Sequence, residues 1–193
     1  VDDNAFVDNH ALAGDGGAFY QNFDFAGYGS DATFDRNEVI SNTAGTGGGG
    51  LYVGSDFAED GASGSFQDNL IANNTAGGSG GGVHISSRFA YEGSQGWFNG
   101  NTILNNASGN EGGGVYMNDL SEYGATAQFN DNWIEGNRSN SHGGGVYMHD
   151  AADSAIAEIT GNTVTGNRIL GGGDGGGVYI WDLGYYGSQV RFL

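Results

Sequence analysis

The chain contains no cysteine and no proline among its 193 residues. Without cysteine there is no disulfide and no mark of a redox compartment. Without proline every backbone amide remains a donor, which suits strands paired on both sides. Lysine is missing too. The five basic residues are all arginines (Arg36, Arg88, Arg138, Arg168 and Arg191) against 23 acidic residues, for a net charge of −18. Such a surface repels nucleic-acid phosphates and anionic lipid headgroups and gathers cations, so nucleic acid is excluded as a partner. No run approaches the roughly 18 consecutive apolar residues that cross a bilayer, so no membrane insertion is expected of this segment. No leader pattern stands at the start, which is Val1 rather than Met.

Large apolar residues are scarce as well. Leu, Ile, Val and Phe total 38, while glycine alone reaches 40. An acidic chain of this composition would fit disorder. Periodicity overrules that reading. Phe34, Phe66, Phe98 and Phe129 each open a Phe-x-x-Asn pattern, and Val1, Ile159 and Phe192 stand in the same phase, with steps of 33, 32, 32, 31, 30 and 33 residues. The chain is therefore one domain of six coils, 1–33, 34–65, 66–97, 98–128, 129–158 and 159–191, expected to be a stretch of a longer solenoid.

The landmarks inside the coils are regular. One asparagine column runs Asn4, Asn37, Asn69, Asn101, Asn132, Asn162, and a second runs Asn9, Asn42, Asn74, Asn106, Asn137, Asn167. Between them lies an apolar column, Phe6, Val39, Ile71, Ile103, Ile134 and Val164. A glycine run then leads into an alternating strand such as Gly50-Leu51-Tyr52-Val53, whose period of two puts Leu51 and Val53 on one side and Tyr52 on the other. One coil cannot bury its apolar side alone, but stacked coils pair their strands in parallel at about 4.8 Å and turn like residues into continuous columns. Asparagine amides both donate and accept, so a column of them forms a ladder.

The expected fold is thus an all-β, right-handed parallel β-helix with three short strands per coil. Coil length varies between the Val53-type and Phe66-type positions, in segments such as 54–64 and 86–96, which are expected to be loops carrying a binding surface. Neither end carries a polar cap, so flanking coils or end-to-end self-association are expected partners.

The Phe-x-x-Asn motif, followed by Gly-Gly-Ala at Gly16–Ala18 or Gly-Gly-Gly-Val in later coils, resembles the repeats of polymorphic outer membrane proteins. More broadly it resembles the right-handed β-helix repeats of the pectate-lyase-like superfamily. The resemblance implies the fold along the whole chain. It also points to surface adhesins on one side and to polysaccharide lyases, glycoside hydrolases and tailspikes on the other.

Three features invite chemistry. The outward position of the glycine strand reads Phe19, Tyr52, His84, Tyr116, Tyr147, Tyr179. It is either an aromatic platform for a glycan or a surface protein, or a cross-strand stack that stabilises the sheet. Beside it Asp119, Asp150 and Asp182 occupy equivalent places, held earlier by Asn22, Ser55 and Ser87. Three carboxylates one rung apart either take a cation, calcium being the expected one, or splay into solvent. Two of them about 5 Å apart also match the spacing of a retaining glycosidase, with His149 and Trp181 alongside to hold a sugar. Other chemistry finds less support. The histidines His10 and His142 lack zinc spacing. The outward threonines Thr43 and Thr75 are interrupted by His10, Ala107, Arg138 and Arg168, which speaks against an ice-binding array. Of three glycosylation sequons, only Asn73 lies outside the ladders.

Function is accordingly expected to be that of a non-catalytic module, extracellular or on the cell surface, for adhesion or for binding glycan or protein, with calcium in the acidic turns. Two alternatives stand beside it: a polysaccharide-degrading enzyme using the same aspartates, and a structural spacer or fibre subunit.

Overall fold

The computed structural model describes residues 1–192 and shows six stacked coils with every strand pairing in parallel. There are four sheets, each of six strands, where the sequence led us to expect three. The first sheet holds Ala5–Val7, Glu38–Ile40, Leu70–Ala72, Thr102–Leu104, Trp133–Glu135 and Thr163–Thr165. The second, the one not anticipated, is built from two-residue strands just past the second asparagine, from His10–Ala11 through Thr43–Ala44 to Arg168–Ile169. Two residues are too few to show a period of two, so this sheet leaves no hydropathy signature. The third sheet runs from Phe19–Gln21 and Leu51–Val53 to Val178–Asp182, and the fourth from Asp31–Thr33 and Ser63–Gln67 to Gln189–Phe192. Among the described residues there is no helix long and apolar enough to cross a membrane.

Both asparagine columns form the ladders that the spacing implied. The backbone N–H and the side-chain amide of Asn69 both donate to Asn101 Oδ1 at 3.0 Å, and the same amide reaches Phe34 O at 2.8 Å. Asn74 does the same with Asn106 Oδ1, at 2.9 Å twice, and with Val39 O at 2.8 Å. Each buried amide thus satisfies two donors and accepts twice from the coil before it, which removes the cost of burying a polar group.

The interior is a set of like-on-like columns. Phe34, Phe66, Phe98 and Phe129 stack at centroid distances of 5.2, 4.8 and 4.9 Å with nearly parallel rings. A second phenylalanine column, Phe25, Phe57 and Phe89, stacks at 4.7 Å and meets the first edge to face. Glycine is needed where the coils approach most closely. A Cβ on Gly49 would run into the carbonyl oxygen of Gly81 in the next coil, and Gly48 before it adopts a φ of 63°.

The segments expected to be loops of variable length are instead a regular corner. Tyr28, Asp60, Glu92, Tyr123, Ser154 and Tyr186 occupy one slot of the repeat, and all have φ between 46° and 56°. In five of the six coils a glycine follows, also with positive φ, giving the tight turn typical of two left-handed residues in succession. Part of the length change is a single residue. The first three coils place two residues between the Val53-type and the Asp56-type position (Gly54 and Ser55), the last three place one (Asn118 in the fourth), and the pairing shifts register between Ile85 and Arg88 as a β-bulge.

Candidate functional site

The outward aromatic column exists, with one correction. Phe19 pairs with Leu51 and Tyr20 with Tyr52, so Phe19 points inward against Phe34 while Tyr20 begins the column. The first coil is one residue out of step with the others at this point, and counting from Gly17 put the wrong residue outside. The column then reads Tyr20, Tyr52, His84, Tyr116, Tyr147, Tyr179, with successive centroids 5.4, 4.8, 4.4, 5.1 and 5.5 Å apart, the tyrosine pairs near parallel and the His84 ring tilted by 30° and 25° to its neighbours. Ring faces in this array cover each other, so what solvent meets is a line of ring edges and hydroxyls. Burial lowers the pKa of His84, and its Nδ1 lies 3.1 Å from Ser79 O. The ring is neutral and stacks as an aromatic. Burial likewise raises Tyr116 and pushes Tyr147 up to about 12, so both stay protonated as donors.

Beside the stripe, at the corner, the acidic column is longer than the sequence suggested. Asp119, Asp150 and Asp182 are in register as expected. The residue paired with Asp119 in the preceding coil is Arg88, not Ser87, because the bulge advances the register by one. The bridges Ala26–Ala58 and Ala58–Ala90 carry the same register back to Asp56 and Asp24, in place of Ser55 and Asn22. The column therefore runs Asp24, Asp56, Arg88, Asp119, Asp150, Asp182.

In its first half the buried carboxylate has a counter-ion within the column. Asp56 is 2% exposed, and Arg88 grips it with Nε at 2.9 Å and Nη2 at 2.7 Å while its Nη1 reaches Glu122 at 3.2 Å. Arg88 also lies 3.6 Å from the Tyr91 ring centroid. Asp24 accepts from Ser55 at 2.6 Å, and its carboxyl beside Glu59, together with burial, pushes the Glu59 pKa up to about 7.

The second half has no arginine. Asp119 and Asp150 each bury one carboxylate oxygen, Oδ1, without a hydrogen-bond partner. His149 Nδ1 stands 3.4 Å from Asp150 Oδ2 and 3.9 Å from Asp119 Oδ1, and one ligand atom from each of these three residues falls within 4.8 Å of the others. Burial, then the charges of Asp150 and Glu122, push the Asp119 pKa up to about 7. Asp182 stays outside this group: the Tyr185 hydroxyl and the Gly184 amide hold its carboxyl below the usual carboxylate range. Trp181 is 63% exposed and parallel to His149 at 6.2 Å.

The structure thus brings Asp119, Asp150 and His149 together, sets Trp181 alongside and leaves Asp182 apart. Sequence reading missed Arg88 and Asp56. Their signal is the recurring Asp/Arg-Phe-Ala at Asp24, Asp56 and Arg88, hidden by the bulge that separates it from the glycine strand. Asn106 and Asn137 are buried in the ladder, and Asn73 is the exposed sequon asparagine.

Set against known families, residues 2–191 match the family model described as a right handed beta helix region. No curated protein and no solved structure matches the chain.

Proposed function

Because the chain belongs to the right-handed β-helix family, we propose that it is a non-catalytic binding module working outside the cell or on its surface. The observation that carries this reading is the unbroken outward column from Tyr20 to Tyr179. Its polar edges are spread evenly along the axis rather than gathered in a cleft. Such a line suits an extended ligand, a glycan chain or a protein surface, held by many weak polar contacts along Tyr52, His84, Tyr116, Tyr147 and Tyr179. At one end of the line, His149 and Trp181 add an exposed aromatic pair.

A divalent cation at Asp119, His149 and Asp150 belongs to the same reading. Two buried carboxylate oxygens without donors lie one rung apart, and a cation between them would replace the missing hydrogen bonds. Calcium is expected on the carboxylates alone, whereas the imidazole nitrogen turns the preference toward zinc or manganese. Melting the protein in EDTA and then with calcium, manganese or zinc tests this directly. A cation held at a hundred times its Kd adds about 2.7 kcal/mol, and equal melting temperatures in all four samples overturn the site.

One observation favours a second reading. A carboxyl that keeps its proton near neutral pH, Asp119, beside another carboxyl, Asp150, is the arrangement of a retaining glycosidase. A polysaccharide panel, with bound protein and soluble products read from the same tubes, separates the two. Binding without products, lost in Tyr116→Ala and Tyr147→Ala, supports the module. Shortened products that vanish in Asp150→Asn establish the enzyme. Neither binding nor products leaves a structural spacer.

A further inference from the structure

Of the five arginines, three are ion-paired: Arg36 with Asp3, Arg88 with Asp56 and Glu122, and Arg191 with Glu158. The other two, Arg138 and Arg168, pair with no carboxylate among the described residues, although the chain carries 23 acidic groups. These two are partners in register on adjacent strands of the second sheet. Both are exposed, on the outward side of their strands, while the next position, Ser139, is buried. The acidic side chain nearest before Arg138 in the chain, Glu135, accepts instead from the Trp133 indole at 2.8 Å, and the one nearest before Arg168, Glu158, pairs with Arg191.

Like charges directly opposite in a sheet destabilise it, and parallel neighbours stand only about 4.8 Å apart. Two guanidiniums carried on neighbouring rungs can turn their N–H forks to one oxyanion between them, since each fork matches two oxygens. We propose that Arg138 and Arg168 form an anion clamp taking one carboxylate or sulfate group of a bound ligand. The site lies on the second sheet, whereas the aromatic stripe and the acidic corner belong to the third. The negative field of the whole chain sets the ligand's charge density: it would repel a densely charged polyanion and admit a ligand with isolated anionic groups.

The test follows the arginine Nε–H resonances of the whole chain by NMR during titration with sodium sulfate, acetate or glucuronate, against sodium chloride at matched ionic strength. Arg138 and Arg168 are expected to move together with one saturable midpoint, while Arg36, already held by Asp3, stays still. Tighter binding of glucuronate than of acetate identifies a sugar as the carrier of the group, and equal binding identifies the bare carboxylate. Arg138→Gln is expected to weaken the response of Arg168 about ten-fold, and without anion to leave the melting temperature unchanged or higher. The proposal is overturned if chloride produces the same shifts, if Arg36 moves in parallel, if the variant keeps the midpoint, or if it melts lower without anion.

Discussion

Asp56 and Asp119 fill the same slot of the repeat two coils apart, and the fold treats their carboxylates in opposite ways. Asp56 is almost wholly buried and takes two guanidinium hydrogen bonds from Arg88 plus that residue's backbone amide. Asp119 is 14% exposed and faces Asp150, with only Asn118 donating to its other oxygen, at 2.9 Å. The backbone slot places an acidic group at the corner whatever its neighbour. What differs is whether the next rung supplies positive charge. Where it does, the carboxylate is an ordinary buried ion. Where it does not, the carboxyl keeps a proton to neutral pH or awaits a cation from outside. A solenoid repeats its electrostatic problem at every coil, so one substitution, Arg for Asp at position 88, divides the column into a structural half and a half open to ligand chemistry.

Removing that arginine is the most severe way to break the contrast. Arg88→Gln leaves Asp56 and Glu122 without their counter-ion, and stripping one partner from a buried pair costs about 3 kcal/mol or more. Thermal or urea unfolding should register the loss. Adding Asp56→Asn to the same chain should recover a good part of it, because a neutral amide can still accept from the Arg88-position backbone N–H. If the double variant is no more stable than the single one, the loss comes from the packing of Arg88 on Tyr91 and not from stranded charge.

Most of the fold was legible because like residues must stack on like residues. The phenylalanine and asparagine columns repeat in the sequence with steps of about 32 residues, and nothing except stacked coils explains them. Less legible was anything that depends on register to one residue. Spacing from the glycine run puts Phe19 outside where Tyr20 belongs, and Ser87 opposite Asp119 where Arg88 belongs. In both cases one extra residue in the chain is absorbed by the backbone, in the second case by a bulge. A bulge has no composition of its own: Gly54-Ser55 and Ser86-Ser87 look like any polar connection. The same limit hid His149. It was read as a neighbour of Asp150 able to help hold a sugar, but that its Nδ1 lies between two carboxylates is a matter of rotamer and not of spacing.

A smaller effect sharpens the comparison by pH. Folded Asp119 holds its proton up to about pH 7, whereas in the unfolded chain it ionises near 3.8. Between those values the folded state binds more protons, so this group's contribution to stability is full below about pH 4 and is lost as the pH rises through 7. Asp119→Asn removes that loss. In EDTA the variant should match the parent near pH 4 and exceed it at pH 8, by on the order of 4 kcal/mol. Glu59 acts in the same window with the same sign, and His84, whose pKa is lowered, acts there with the opposite sign. Both remain in the variant, so the difference between the two pH profiles isolates Asp119. Parallel profiles would mean that Asp119 is ionised in the folded protein and that its neighbours already stabilise its charge.

The smallest expected effect comes from an arginine on the fourth sheet that makes the same kind of contact as Arg88. Arg191 reaches Glu158 in the adjacent coil at 3.2 Å, the same cross-rung contact between a guanidinium and a carboxylate. It is more than half exposed, where Arg88 is about a quarter exposed. Water solvates both members of the Arg191 pair, and salt screens what remains. Arg191→Gln should therefore leave the melting temperature unchanged within error at physiological salt, and Arg88→Gln should lower it at any salt concentration. Equal losses in the two variants would show that the column responds to charge count along its length. Unequal losses tie the effect to burial, and with it the claim that a carboxylate no guanidinium grips, such as Asp119, whose neighbour Arg88 is taken by Asp56 and Glu122, is the one that must find its positive charge elsewhere.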